Sequence, residues 1–193
     1  MKIYVARHGQ VSLNKENRVC GRTDIPLTDV GIEQAVSLGE SAKDLHIDLI
    51  ISSPMVRTKM TADTVSKICG SIPVITDERI IEQCYGIYET HSRDNPDFLE
   101  NKRQFAKKYP KGESMLQVTA RVYDFLNDIK DVYRNKTLLI VTHGGVIRHI
   151  NSYFYDMTNE EFSSFFKPLM WFTSIGARLS MKSKSIPMAL LIL

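Results

Sequence analysis

Several things are scarce or missing in this 193-residue chain, and each absence narrows the field. Cysteine is scarce: Cys20, Cys69 and Cys84 make an odd set with no C-x-x-C pair. Such a set suggests neither a disulfide framework nor a zinc site, and it suits a reducing cytoplasm. Long hydrophobic runs are missing, since no stretch approaches the ~20 apolar residues of a membrane span. The run from Lys2 to Ala6 is too short for the apolar core of a signal peptide and meets Arg7 at once. The expectation is a cytoplasmic protein with no membrane partner. Charge of one sign is scarce as well. A net charge of +3 gives no ground for a nucleic-acid partner and favours small anions only slightly. The chain contains no G-x-x-x-x-G-K-S/T, no G-x-G-x-x-G and no H-E-x-x-H. The His and Asp clusters of a two-metal site are also missing, so no metal and no cofactor is expected.

What is present reads as one domain over residues 1–193, because 43% apolar and 24% charged residues are ordinary for a globular protein. Short apolar runs alternate with helical periodicities. Strands are expected at Ile3 to Ala6, Asp48 to Ser52, Ile72 to Thr76 and Leu138 to Thr142. A helix capped by Thr28 or Asp29 carries Ile32, Ala35, Val36, Gly39 and Ala42 as its expected buried stripe. Ser53-Pro54 predicts a second helix running to about Gly70, with serine as cap and proline at the first helical position. Ser114 and Gln117 form a capping box before a third, whose apolar face runs from Val118 through Val122, Phe125, Leu126 and Ile129 to Val132. Another helix starts at Gly144. Looser alternation suggests strands near Thr173 to Ser180 and Ile186 to Leu193. Strands alternating with helices imply a mostly parallel sheet covered on both faces.

Two strands stop in the same way. K-I-Y-V-A-R-H-G at the amino terminus and T-L-L-I-V-T-H-G-G at 137–145 each end in a histidine followed by glycine. Side by side, they would present His8 and His143 at one carboxyl edge, where open α/β sheets bind ligands. With Arg7 and nearby helix amino ends, two imidazoles describe a pocket for a phosphoryl group. A neutral His8 could attack phosphorus and carry the group as a phosphoamidate, with Arg7, Arg57 and His143 holding the equatorial oxygens. Arg57 stands in the first turn of its helix, where a cation opposes the macrodipole. A conflict of that kind marks a functional position. Glu82, in a turn before Tyr85-Gly86, is the best-placed proton donor for the leaving oxygen, with Glu89 as its rival. Arg22, Arg121 and Arg148 are open candidates to reach the pocket, whereas His46, His91 and His149 belong to no motif. Lys102, Arg103, Lys107, Lys108 and Lys111 form a basic segment that could line the entrance or simply be a solvated face.

R-H-G at 7–9, Asn14, G-R-T-D-I-P-L-T-D-V-G-I-E-Q-A at 21–35, S-S-P-M-V-R-T-K-M-T-A at 52–62, E-Q-C-Y-G at 82–86, G-E-S at 112–114 and T-H-G-G at 142–145 occur in that order. Together they resemble the histidine phosphatase superfamily, in its phosphoglycerate mutase-like branch, over about residues 1–155. The resemblance implies a three-layer α/β/α sandwich and a metal-independent enzyme. It implies His8 as the phosphorylated nucleophile, with Arg7, Arg57 and His143 around the phosphate and Asn14 as a further contact. Gly144 of the T-H-G-G block falls beside them. Glu82 would protonate the leaving group and then activate water.

Two departures stand out. Gln10 replaces a glutamate common in such proteins, and Ser180 to Leu193 matches nothing in the family pattern. The expected activity is hydrolysis of a small phosphorylated metabolite. The alternatives are a phosphoglycerate mutase and, in a different class, a non-catalytic binder of phospholigands. The short interval from Gly86 to Gly112 favours hydrolysis, because mutases of the family look longer there.

Overall fold

A computed structural model describes residues 1–165 and the backbone of 174–175. In chain order the elements are β1 (Lys2–Arg7), α1 (Ser12–Lys15), α2 (Asp29–Ala42), β2 (Leu49–Ser52), α3 (Val56–Ile68), β3 (Val74–Thr76), α4 (Pro96–Lys102), α5 (Met115–Val132), β4 (Thr137–Thr142), α6 (Gly144–Phe154), α7 (Asn159–Ser164) and β5 (Ser174–Ile175). The strand order is β3-β2-β4-β1-β5. The first four strands run parallel, and β5 closes the edge antiparallel to β1.

Why the strands read as unbroken apolar runs is clear from the packing. Ile3 and Val5 of β1, Ile51 of β2 and Leu138 and Ile140 of β4 pack with Val122, Phe125, Val146 and Ile150 of α5 and α6. The alternate residues Tyr4, Ala6, Ile50, Leu139 and Val141 face the other way, against Leu38 of α2 and Ala62 and Val65 of α3. Both faces of the sheet are buried, so every position must be apolar and period-two alternation disappears. The result is the three-layer α/β/α sandwich that the family resemblance implied.

Register carries the consequence for function. β1 and β4 pair in parallel from Lys2 with Thr137 to Arg7 with Thr142, and the His8 amide donates to the Thr142 carbonyl at 3.0 Å. The two histidines therefore leave the sheet together at its carboxyl edge.

Some expectations need correction. The inner stripe of α2 is Gly31, Ala35, Leu38, Gly39 and Ala42, whereas Ile32 and Val36 are exposed. Small residues rather than β-branched ones face inward because α2 packs closely on α3, with Gly39 against Ile68. The inner face of α5 ends at Ile129, leaving Val132 at the surface. Ser53 does not cap α3. That helix begins at Val56 after Met55, and its first free amide is satisfied from outside by Asp24 Oδ1 at 2.9 Å. Thr28 caps α2 and the Ser114–Gln117 box caps α5, as expected. Ser174–Ile175 falls inside the expected strand at Thr173 to Ser180; the expected strand at Ile186 to Leu193 lies outside the described residues.

The turn leaving β1 wedges against the first turn of α2. A Cβ on Gly31 would overlap the Gln10 carbonyl oxygen, and a Cβ on Gly9 would overlap the Gly31 carbonyl. An alanine inside a helix ordinarily stabilises by about 0.5–1 kcal/mol over glycine. Gly31→Ala should reverse that sign and destabilise by about 1–3 kcal/mol, since backbone must move to admit it. A urea midpoint at or above that of the wild type would show that the wedge is looser than described.

Candidate active site

The site is built from two strand ends, one helix start and one turn. β1 delivers Arg7 and His8, β4 delivers His143, the first turn of α3 delivers Arg57, and the turn after Ile80 delivers Glu82. His8, Arg57 and His143 are buried, with at most 2% of their surface exposed. The two imidazoles lie edge to face with ring centroids 5.1 Å apart.

Donor logic fixes both tautomers. A carbonyl can only accept, so His8 Nδ1 carries the proton that it gives to the Gly9 carbonyl at 2.7 Å. A guanidinium can only donate, so His8 Nε2 is the lone-pair nitrogen facing Arg57 Nε at 3.3 Å. Likewise Arg57 Nη2 donates to His143 Nδ1 at 3.2 Å, which leaves His143 Nε2–H to donate to Ser53 Oγ at 2.7 Å. Ser53 is thus used by the site rather than by the helix. Burial pushes His8 well below its ordinary value, reinforced by the charges of Arg7 and Arg57. Burial does the same to His143, with Arg57 next in importance. Both rings are neutral at physiological pH, and His8 presents an unprotonated nitrogen.

Arg57 is not a strained surface cation. Its guanidinium is fully buried and also donates to the carbonyls of Gly21 at 2.7 Å and Thr23 at 2.9 Å. The helix dipole is only part of the position's electrostatics. Arg57 knits the long loop after β1 to both histidines, so removing it would orphan buried acceptors and cost stability. Arg7 lies beside the rings, pushed down to about 10 by burial with Arg93 and Arg57 nearby, and so remains charged at neutral pH.

Glu82 is buried, and its carboxylate accepts from the amides of Gln83 at 2.9 Å and Gly145 at 3.2 Å. A Cβ on Gly145 would overlap Glu82 Oε1, so the second glycine of T-H-G-G is what admits the carboxylate. Glu82 is held by its backbone too. Arg22 Nε and Arg121 Nη2 both donate to its carbonyl, at 3.2 and 3.3 Å, and Glu113 pairs with both arginines, at 3.0 and 3.2 Å. Arg22 and Arg121 therefore brace the acid rather than line the pocket. Glu113 is the middle residue of the G-E-S block, and its role could not be read from the chain because its partners lie far off in sequence. The rival acid, Glu89, clamps loops by accepting from Arg22 N, Tyr85 N and Thr23 Oγ1.

One pocket gathers Arg7, His8, Asn14, Arg57, Glu82 and Gly144, with His143 behind them against Arg57. The buried Asn14 Oδ1 has no hydrogen-bond partner among the described residues. Gly144 leaves room beside Arg7, whose Nε would lie 3.4 Å from a Cβ there. Arg148 and Arg93 also line the pocket. Arg93 gave no signal in the sequence, standing outside every motif in a charged loop. Gln10 bonds Thr28 and stays outside, and Cys84 lies away near Lys111. Among the described residues, no group of three or more His, Cys, Asp or Glu side chains could hold a metal, and no helix is long and apolar enough to cross a membrane.

With sheet edge and pocket in hand, comparison with known proteins places the chain. Residues 3–176 match the model of the histidine phosphatase superfamily, branch 1, and the chain belongs to that superfamily. It is 36% identical over 151 residues to the probable phosphoglycerate mutase GpmB of Escherichia coli O1:K1, covering 75% of this chain and 70% of that protein. It is structurally similar to a histidine-to-alanine mutant of Entamoeba histolytica phosphoserine phosphatase in complex with phosphoserine. That match has a TM-score of 0.78, 27% identity and coverage of 90% of this chain and 89% of that one. It is also similar to YhfR of Bacillus stearothermophilus, with a TM-score of 0.76, 28% identity and 84% of each chain covered.

The neutral histidines make stability depend on pH. His149, behind the pocket, is likewise held well below its ordinary value by burial, with Arg148 and Arg121 adding to it. The unfolded chain takes up a proton at each near pH 6.5, whereas the folded protein does not. Stability is therefore fully present above that pH and lost as pH falls below it, by up to ~1.4 kcal/mol per pH unit for each histidine. Urea midpoints should fall steeply from pH 6.5 to 5, and His149→Gln should remove about one proton from the slope. A flat profile would mean that the rings are protonated in the fold.

Proposed function

We propose that the protein is a single-domain, cytoplasmic, metal-independent phosphatase that hydrolyses small phosphomonoesters through a phosphohistidine on His8. The observation that carries this reading is the His8 tautomer. Nδ1–H is anchored on the Gly9 carbonyl, so the Nε2 lone pair is turned toward Arg57 in a buried, cationic pocket. Nε2 attacks phosphorus and the bond to the ester oxygen breaks, while Glu82 gives that oxygen its proton. The imidazolium keeps its Nδ1 proton and the Gly9 carbonyl stabilises the charge. Arg7 and Arg57 hold the phosphoryl oxygens, with Asn14 and the Gly144 backbone as further contacts, while His143, engaged by Arg57 and Ser53, fixes the Arg57 guanidinium from behind. Glu82, now a carboxylate, takes a proton from water as the water oxygen attacks phosphorus. The nitrogen–phosphorus bond breaks and inorganic phosphate leaves. Positive groups aimed at developing charge in a water-poor site are worth several kcal/mol in such a transition state.

A second reading, phosphoglycerate mutase, is favoured by the name that the Escherichia relatives bear. Hydrolysis is preferred because the interval from Gly86 to Gly112 holds one 3-10 turn (Gly86–Tyr88) and the short helix α4, with little chain to seal the intermediate from water. A non-catalytic binder would have no use for an acid held as firmly as Glu82.

Incubated with 3-phosphoglycerate, the protein should release glycerate and inorganic phosphate in equal amounts. Glu82→Gln should lower kcat on such an alkyl ester by about 10²–10⁴. It should slow the first burst from p-nitrophenyl phosphate far less, since that leaving group needs no proton. Interconversion of 2- and 3-phosphoglycerate without phosphate release would establish the mutase instead. Binding without turnover would establish the sensor.

A further inference from the structure

The phosphoryl site does not use all of the pocket's charge. Arg148 stands on α6 among buried Val146, Ile147, His149 and Ile150, and is itself only 8% exposed. Its Nε and Nη1 find no hydrogen-bond partner among the described residues, and no ion pair there includes it. Phe162 lies under its guanidinium, 6.0 Å from carbon to ring centroid. A buried cation with unmade hydrogen bonds is costly, so a site that keeps one has a use for it. Arg93 lines the same pocket and is positioned by donating Nε–H to the Arg18 carbonyl at 3.0 Å. Lys102 records how concentrated the charge is. It is pushed down to about 8 by burial and by the nearness of Arg148 and Arg93.

Counting the lining groups gives the same answer. Among the described residues, Arg7, Arg57, Arg93 and Arg148 share the pocket with a single carboxylate, Glu82. One phosphoryl group carries about −1.5 to −2 at neutral pH and leaves cationic excess. Position says where that excess lies. Arg148 follows Gly144 by one turn of α6, on the same helical face, so the two sites lie about 6 Å apart along it. The exposed basic segment does not compete for the role, because Arg103, Lys107, Lys108 and Lys111 all point to solvent.

We propose that Arg148 and Arg93 form a second anion subsite next to the phosphoryl site, selecting small phosphomonoesters that carry a further anionic group a few bonds from the phosphate. This rests on the reading of the pocket as a phosphoryl site. A carboxylate and a second phosphate share the chemistry, and substrate pairs separate them. 3-Phosphoglycerate and glycerol 3-phosphate have the same chain and differ in carrying a carboxylate or a hydroxymethyl group. Fructose 1,6-bisphosphate and fructose 6-phosphate differ in the second phosphate.

In the wild type, kcat/KM should favour the doubly anionic member of at least one pair by roughly tenfold or more, as a charge-assisted hydrogen bond provides. Arg148→Met and Arg93→Met should each bring that ratio toward one, whereas Arg148→Lys, which keeps the charge, should retain part of it. Lys107→Gln with Lys108→Gln should leave the ratio as in the wild type. Thermal midpoints identify any variant that fails to fold, in which case the Arg148→Lys ratio decides. No preference in the wild type, or a preference that survives both methionine variants, overturns the proposal. If no ester is hydrolysed, the phosphatase reading fails by itself. Calorimetric titration of the same pairs into the wild type and Arg148→Met then reads the subsite directly, with equal affinities within each pair counting against it.

Discussion

The structure depends on one buried guanidinium. Arg57 has no carboxylate partner among the described residues. It spends its donors on two carbonyls of the loop after β1 and on the lone-pair nitrogens of two histidines from different strands. Four of its five N–H groups are used, and burying a charge this way is expensive unless its donors are paired. The arrangement is therefore all or nothing. It fixes the loop, both ring tautomers and the start of α3 at once, and it leaves a positive potential directed at the nitrogen of His8 that can attack. Preorganisation of this kind means that little need reorient when charge develops on a phosphoryl group.

A second constraint is the close approach of Glu82 to that centre. Its carboxylate is tied to two backbone amides, its carbonyl to two arginines, and those arginines to Glu113. Only a glycine at position 145 admits it. The acid is thus placed by backbone geometry at β4's end and by a charge network on its far side, while the histidines are placed by the register of β1 and β4. Nucleophile and acid come from separate supports that meet only at the sheet edge.

Much of this was legible in the chain. Paired H-G endings on two apolar runs foretold adjacent strands, because parallel pairing puts equal endings at one edge. The capping box before α5 and Thr28 before α2 were readable because caps are local in sequence. The start of α3 was misread, because the side chain that looked like its cap, Ser53, serves His143 instead, and Asp24 reaches in from a distant loop. The inner face of α2 was misread because close packing on α3 selects small residues, which hydrophobicity alone ranks below Ile32 and Val36. Arg148 was an open candidate for the pocket and does line it, whereas Arg93 and Glu113 depend on contacts across long sequence separations that no local pattern encodes.

The central claim is that His8 Nε2 forms the bond to phosphorus. Rapid quenching of the protein with a 32P-labelled phosphomonoester tests it most directly. The account predicts an acid-labile, base-stable label that maps to His8 and is absent from a folded His8→Ala variant. Label that persists in that variant, or that maps to another residue such as Cys84 or His143, would contradict it.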